Sequence, residues 1–192
     1  APFENLYIGI ERANNCIKYI PKMSLYTTGS AADQTALKRL YGEALTLRAQ
    51  FYFELIKNWG DVPAQFEPSS DQPTLVIKKT DRDVIYDHIL NDLKTAEDLI
   101  PWRTEVPRDE RITKGAVKGL RARIALFRGG YSLRSTGQME RKSDYLTYYK
   151  IAYDECNDLL ARRDEHTLNT SNSNGFQTLF KNYLDAHTRD PT

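Results

Sequence analysis

Apolar residues recur at steps of three and four in five separate segments, and this period constrains the fold more than any other feature of the sequence. Such a period places the apolar side chains on one face of an α-helix. We therefore predict five helices, with apolar faces over about 3–20, 34–58, 84–100, 116–127 and 145–160. Residues that end helices follow the first four segments, namely Pro21, Gly60 with Pro63, Pro101 and Gly129 with Gly130. No segment carries a β-hairpin signal.

The helix starts are predicted from residues that favour capping. Asp33 and Thr113 precede apolar runs and are candidate N-caps. Thr80, with Asp83 three residues later, resembles a capping box that has Asp in place of the usual Glu.

Paired helices of this size resemble tetratricopeptide repeats, whose period is about 34 residues. Each hairpin alone would leave an apolar face in water, and stacking the hairpins buries those faces in one core. We expect an all-α fold of stacked helical hairpins, with long irregular loops, forming a single domain over residues 1–192. The chain starts without Met and already in a helical pattern, so we also expect it to be a portion of a longer protein.

Composition excludes several classes of function. With 27 basic and 26 acidic residues the net charge is +1, so we expect no binding to nucleic acid. No apolar run reaches the roughly 18 residues of a membrane span. The two cysteines, Cys16 and Cys156, lie at helical spacing among apolar residues. We predict two buried thiols; one long-range disulfide is the alternative.

No motif indicates covalent chemistry. His88, His166 and His187 lack the spacing of a zinc site, and there is neither a nucleophile elbow nor a phosphate-binding glycine loop. We therefore expect no enzymatic activity, no metal and no cofactor. The carboxylates of the third helix are interpreted as a solvated face, with a calcium site or an acid/base pair as the alternative. They are Asp81, Asp83, Asp87, Asp92, Glu97 and Asp98.

Arg48 lies on the apolar face of the second helix. A buried charge needs a partner, so we predict a buried, hydrogen-bonded scaffold residue. The candidate partners are Glu43 and a loop carbonyl near Gly60–Asp61; direct contact with a ligand is the alternative. Gly60 and Pro63 are predicted to form a fixed helix stop.

Two tryptophans lie where a helix gives way to a loop, and an exposed indole there can stack on a sugar or a peptide. Trp59 has Asn58 and Asp61 beside it as hydrogen-bonding groups, and Trp102 has Arg103. We predict that Trp102 is the more exposed ring, because its loop is charged while Trp59 is tied to the following turn. For each indole, a plug at the end of a hairpin is the preferred interpretation, and stacking on a ligand is the alternative.

Four segments together resemble the SusD/RagB family of outer-membrane nutrient-binding lipoproteins from Bacteroidota. The most specific is GEALTLRAQFYFELIKNWGDVP, which begins at Gly42 and ends at Pro63. The others, in family order, are YIGIERANNCIKYI, VIYDHILNDLKTAEDLIP and RITKGAVKGLRARIALFRGGY.

The resemblance implies a function that the residues alone do not. Family members capture a glycan, or in some cases a peptide, at the cell surface and deliver it to a TonB-dependent SusC-like transporter. They are longer than this chain and are lipid-anchored in the outer membrane, through an anchor that we expect to be absent from these 192 residues. The competing hypothesis is a helical-repeat adaptor that binds only protein partners.

Overall fold

Helices dominate the computed structural model, which describes residues 2–74, 76–106, 111–166, 174–178 and 181. Within these residues five helices have 15 to 29 residues. A short helix, α2 (Ser24–Thr28), lies between the first two of them. The long helices are α1 (Pro2–Tyr19), α3 (Ala31–Trp59), α4 (Arg82–Leu99), α5 (Lys114–Arg128) and α6 (Tyr145–Ala161). The predicted all-α architecture with five main helices is confirmed.

Each long helix packs against the next along the chain: α1 against α3, α3 against α4, α4 against α5, and α5 against α6. Helix α3 also touches α5. This is the stack of helical hairpins that the apolar faces predict, because each helix except the first and last buries two sides against neighbours.

Local side chains move two helix starts away from the predicted caps. Helix α3 begins after Ser30, whose hydroxyl accepts from the backbone N–H of Asp33 at 3.2 Å, while the Asp33 carboxylate accepts from the N–H of Ser30. Asp33 is thus the third residue of the helix and the second half of a capping box. Helix α4 is capped by Asp81 rather than Thr80. Thr113 does precede α5, but its side chain makes no capping hydrogen bond.

Two short pairs of antiparallel strands occur although no segment of the sequence carries a β-hairpin signal. Strands β1 (Val62–Pro63) and β2 (Lys79–Thr80) pair antiparallel and close the base of the loop between α3 and α4. Strands β3 (Ser132–Leu133) and β4 (Met139–Glu140) form a hairpin between α5 and α6. Each strand has only two residues, too few for the alternation of side chains that identifies a strand in sequence.

The core lies along the seam of α3 and α4 and extends to α1 and α5. Tyr52 and Leu55 of α3 and Ile85, Ile89 and Leu93 of α4 are completely or almost completely buried. Full burial of one such aliphatic side chain contributes roughly 1.5–3 kcal/mol. Burial at the α3–α4 seam therefore contributes substantially to the packing energy of the described residues.

The carboxylates of α4 do not form a purely solvated face, and that interpretation is corrected. Asp83, Asp92 and Glu97 are buried and paired with basic side chains. Asp83 accepts from Arg134 at 2.9 Å, and Glu97 accepts from Lys118 at 3.2 Å. The partner of Asp92 is Arg48 of α3, while Lys118 and Arg134 come from α5 and from the β3–β4 hairpin. Lys94, which also donates to Glu97, lies on α4 itself, but the helix's own sequence gives no sign of the other partners.

The cysteine prediction is also wrong, since both thiols are exposed and neither forms a disulfide. Within the described residues no helix has the length and apolar content needed to cross a bilayer.

Candidate functional site

Arg48 is buried at the α3–α4 seam, as predicted, but its partner is Asp92 rather than Glu43. The guanidinium donates from Nε and Nη2 to the two carboxylate oxygens, both at 2.8 Å. Its Nη1 donates to Asn14 Oδ1 at 3.0 Å and to the carbonyl of Phe66 at 2.7 Å. These contacts engage all three nitrogens of the guanidinium. Arg48 of α3 therefore links α1, α4 and the loop after β1.

The other residues predicted to be structural also stabilise the scaffold. Glu43 accepts from Arg111 Nε at 2.9 Å and Nη2 at 2.7 Å, which ties α3 to the segment before α5. Gly60 has φ 73°, and its N–H donates to the carbonyl of Ile56, so it ends α3. Pro63 lies in β1, and its carbonyl accepts from the hydroxyl of Tyr7 at 2.7 Å.

Trp102 is not the exposed ring, and that prediction is corrected. Its residual exposure is 8%, against 46% for Trp59. Arg162, just after α6, lies over the indole at 4.5 Å from the ring centroid, and Lys114 of α5 lies at 5.8 Å. The cations that cover the ring therefore come from α5 and from the segment after α6, not from the charged loop that follows Trp102. Its backbone N–H donates to Glu105 at 2.8 Å.

Trp59 occupies the last position of α3 and is the more accessible indole. The ring of Phe3, at the start of α1, meets it edge-on with the centroids 5.1 Å apart. Asn58 is exposed, and its amide nitrogen donates to the carbonyl of Glu54 at 2.8 Å, which leaves its side-chain oxygen as an acceptor. The contact with Phe3 fixes the indole without covering it.

Asp61 does not point freely at a ligand, because it is paired with Arg82. Its Oδ1 accepts from Arg82 Nε at 2.9 Å and from the backbone N–H of Arg82 at 3.3 Å. Partial burial alone would raise the pKa of Asp61, but the hydrogen bonds from Arg82 outweigh it and hold that pKa below its ordinary value. The carboxylate is therefore ionised at neutral pH, and it links the turn after α3 to the start of α4.

A cleft of about 420 Å³ lies beside Trp59, between the end of α3 and the β3–β4 hairpin. Two of the predicted ligand-binding residues, Asn58 and Trp59, line this cleft. Asp61 does not line it but pairs with Arg82, which does. Trp102 lies outside the cleft lining. Sequence analysis assigned none of the other nine described lining residues to a site: Ile56, Lys57, Arg82, Tyr86, Phe127, Tyr131, Ser132, Leu133 and Met139.

One of these residues carried a usable signal. Tyr131 follows the Gly129–Gly130 stop of α5, just as Trp59 precedes the Gly60 stop of α3, so both aromatics mark a helix end. Tyr131 is 65% exposed. Arg82, by contrast, enters the cleft only because β1 and β2 pair and bring the start of α4 to the end of α3. That juxtaposition has no signature in the sequence.

The arrangement is suited to binding. Aromatic rings that are accessible on one face present apolar planes, while the amide of Asn58, the guanidinium of Arg82 and the hydroxyl of Ser132 line the same cleft. Sugars combine apolar ring faces with polar edges, and this pairing of planes and hydrogen-bonding groups complements them.

Comparison with known proteins identifies the family. A sequence profile of SusD-like proteins, described as starch-binding and associating with the outer membrane, matches residues 2–126 of the 192. The chain belongs to the SusD-like family. SusD-like protein P38 of Formosa agariphila is 27% identical over 138 residues, which cover 70% of this chain and 24% of that protein.

Solved SusD-like structures share the fold. A SusD homologue from Bacteroides thetaiotaomicron superposes with a TM-score of 0.74 at 26% identity, over 97% of this chain and 32% of that protein. A laminarin-binding SusD-like protein superposes with a TM-score of 0.56 at 26% identity, over 67% of this chain and 26% of its own length. This SusD-like chain thus spans about a quarter to a third of the proteins it matches.

Proposed function

We propose that this chain is the helical-repeat part of a non-enzymatic cell-surface protein that captures a glycan. The observation that carries the proposal is the cleft beside Trp59, whose lining combines the exposed rings of Trp59 and Tyr131 with polar side chains. Stacking of an apolar sugar face on an aromatic ring, together with hydrogen bonds to its hydroxyls, gives affinity without any reacting group.

The cleft is held in shape before a ligand arrives. Asp61 and Arg82 fix the turn after α3, and Phe3 supports the edge of the Trp59 indole. A fixed platform avoids part of the entropy cost of ordering side chains on binding. This favours Trp59 over Trp102, since the Trp102 ring is already covered by cations of the same chain.

The wider role follows from the family. We propose that the full-length protein is longer than this chain, is lipid-anchored at the outer membrane and delivers its ligand to a TonB-dependent SusC-like transporter. The family's description as associating with the outer membrane supports the location. The laminarin-binding relative supports a glycan as the ligand, with a peptide as the alternative.

Titration with laminarin oligosaccharides and a panel of other soluble glycans tests the proposal. We expect at least one glycan to bind, and Trp59→Ala to lower its affinity at least tenfold, about 1.4 kcal/mol. Tyr153→Ala is the matched control, because Tyr153 is an exposed aromatic of α6 that does not line the cleft. If wild type and Trp59→Ala bind the glycan with equal affinity, the cleft beside Trp59 is not the glycan-binding site.

A second function is favoured by one observation. A groove of about 420 Å³ between α1 and α3 has an apolar lining that includes Leu40, Leu47 and Phe51, and both leucines are exposed. An adaptor that binds only protein would use such a surface. If no glycan of the panel binds, while Leu47→Asp abolishes capture of the transporter from solubilised outer membranes, the adaptor is the correct function.

A further inference from the structure

The charged groups of the cleft suggest the class of glycan, and this inference rests on the proposed function. Two cationic side chains, Lys57 and Arg82, line the cleft. No Asp or Glu is among the described residues of its lining. The carboxylates that balance these cations, Glu54 and Asp61, do not line the cleft.

Asp61 holds Arg82 through Nε, and the guanidinium edge formed by Nη1 and Nη2 is not used by this contact. Its Nε is used by Asp61 at 2.9 Å, and its side chain is 14% exposed. Its Nη1 and Nη2 make no hydrogen bond to any residue that the structure describes, in contrast to Arg48, whose Nη1 and Nη2 are both engaged. Arg82 thus lines the cleft with two nitrogens, Nη1 and Nη2, that are not used by any residue the structure describes.

The turn after α3 fixes the position of that edge. Gly60 has φ 73°, and a Cβ placed on it would overlap Nη2 of Arg82, so the guanidinium packs directly on the Gly60 backbone. Trp59 precedes this glycine, and both residues line the cleft. The Arg82 guanidinium and the Trp59 indole therefore belong to the same cleft and are both anchored at the turn of Gly60.

A guanidinium edge of this kind recognises anions better than hydroxyls. Its planar pair of N–H donors matches the two oxygens of a carboxylate or a sulfate, and a charge-assisted hydrogen bond is roughly twice as strong as a neutral one. Partial shielding of Arg82 from water strengthens the interaction further. A neutral glycan would gain from the rings but would leave this edge without an anionic acceptor.

We infer that the cleft selects an anionic glycan, whose sugar ring stacks on Trp59 while its carboxylate or sulfate accepts from Nη1 and Nη2 of Arg82. Arg82 is then the residue that determines specificity, and Trp59 supplies affinity common to charged and neutral sugars. The two sources of negative charge, a uronate and a sulfate ester, share this chemistry.

The test compares three probes on the 192-residue chain: a galacturonate oligomer, its methyl ester of equal length, and a sulfated galactose oligomer. For wild type we expect the galacturonate or the sulfated oligomer to bind at least tenfold tighter than the neutral ester. Whichever anion binds tighter identifies the source of the charge. Equal affinity for all three probes would overturn the inference.

Four variants assign the preference to one residue. In Arg82→Gln we expect the preference for the anionic probes over the ester to fall to within about twofold, about 0.4 kcal/mol, whatever the change in affinity for the ester itself. Arg123→Gln is the matched control, because it removes one exposed positive charge of α5 that does not line the cleft. Asp61→Asn loosens the same turn but keeps the cation, so it retains the preference if the charge matters and loses it if only the turn matters. Trp59→Ala weakens all three probes alike.

The outcomes separate this inference from the proposed function. If neutral glycans bind in a Trp59-dependent manner and the anions gain nothing, the inference fails and glycan capture stands. If none of the three probes and no glycan of the wider panel binds, glycan capture fails and the inference fails with it. Retention of the full preference by Arg82→Gln also overturns the inference, because the charge then acts from elsewhere.

Discussion

Arg48 of α3 and Asp92 of α4 form a two-pronged ion pair, with Nε and Nη2 each 2.8 Å from a carboxylate oxygen, at the buried seam of the two helices. The Nη1 atom of the same guanidinium holds the carbonyl of Phe66. One side chain therefore joins the central hairpin to the loop after β1.

We predict that Arg48→Ala lowers the free energy of unfolding by roughly 3–5 kcal/mol, because it leaves the buried carboxylate of Asp92 without its partner. Chemical denaturation monitored by circular dichroism measures the effect. The double variant Arg48→Met with Asp92→Leu is expected to be more stable than Arg48→Met alone, since both charges are then absent. A loss below about 1 kcal/mol in Arg48→Ala would contradict the scaffold role.

Replacing either of two glycines with alanine is expected to change the stability of the protein, but in opposite directions. Gly60→Ala places a Cβ at φ 73° and against Arg82, and we expect it to cost about 1–3 kcal/mol. Gly119 lies within α5, and a Cβ at this position would have open space beside its own helix, so Gly119→Ala is expected to stabilise by up to about 1 kcal/mol. Thermal unfolding of the pair measures both. A neutral Gly60→Ala would show that the turn after α3 is not fixed.

Trp102→Ala is expected to lower stability by about 3–5 kcal/mol, because the ring is buried beneath Arg162 and Lys114. Trp59→Ala, at a half-exposed indole, is expected to cost no more than about 1 kcal/mol. Parallel urea denaturation curves compare the two. Equal losses of unfolding free energy in the two variants would contradict the view that Trp102 stabilises the core while Trp59 is a surface residue.

His88 makes stability depend on pH. Its ring stacks on Phe66 with the centroids 3.5 Å apart, and its Nε2 is 3.2 Å from Arg48 Nη2. Burial first, and then the positive charge of Arg48, lower the pKa of His88, while Asp92 and Glu67 oppose them. The unfolded chain then binds a proton more readily than the folded one, so the contribution of His88 is complete above about pH 6.5 and declines as pH falls below it.

We therefore expect the free energy of unfolding to decrease from about pH 7.5 to about pH 5.5. In His88→Gln that decrease is expected to be smaller, since the titrating group is removed. Denaturant titrations of both proteins at each pH measure the two slopes. An unchanged slope in His88→Gln would assign the pH dependence to other groups.

The sequence by itself determined the helices and their stacking. Apolar residues such as Leu55, Ile89 and Leu93 recur at the period of a helix, and burying one continuous face fixes both the element and the side it turns inward. The end of α3 at Gly60 could also be predicted from the sequence, because a glycine followed closely by Pro63 disfavours continuation of the helix. The family could also be recognised from the sequence, since the four motifs that identify it lie mainly within these helices.

The tertiary structure alone decided which charges pair and which rings remain accessible. Asp92 belongs to Arg48, 44 residues away in sequence, and Trp102 is covered by Arg162, which lies beyond α6. Arg82 reaches the cleft through the pairing of β1 with β2, each only two residues long. Hydrophobic burial is set by a local period, whereas ion pairs and ring exposure depend on distances between elements that no local pattern encodes.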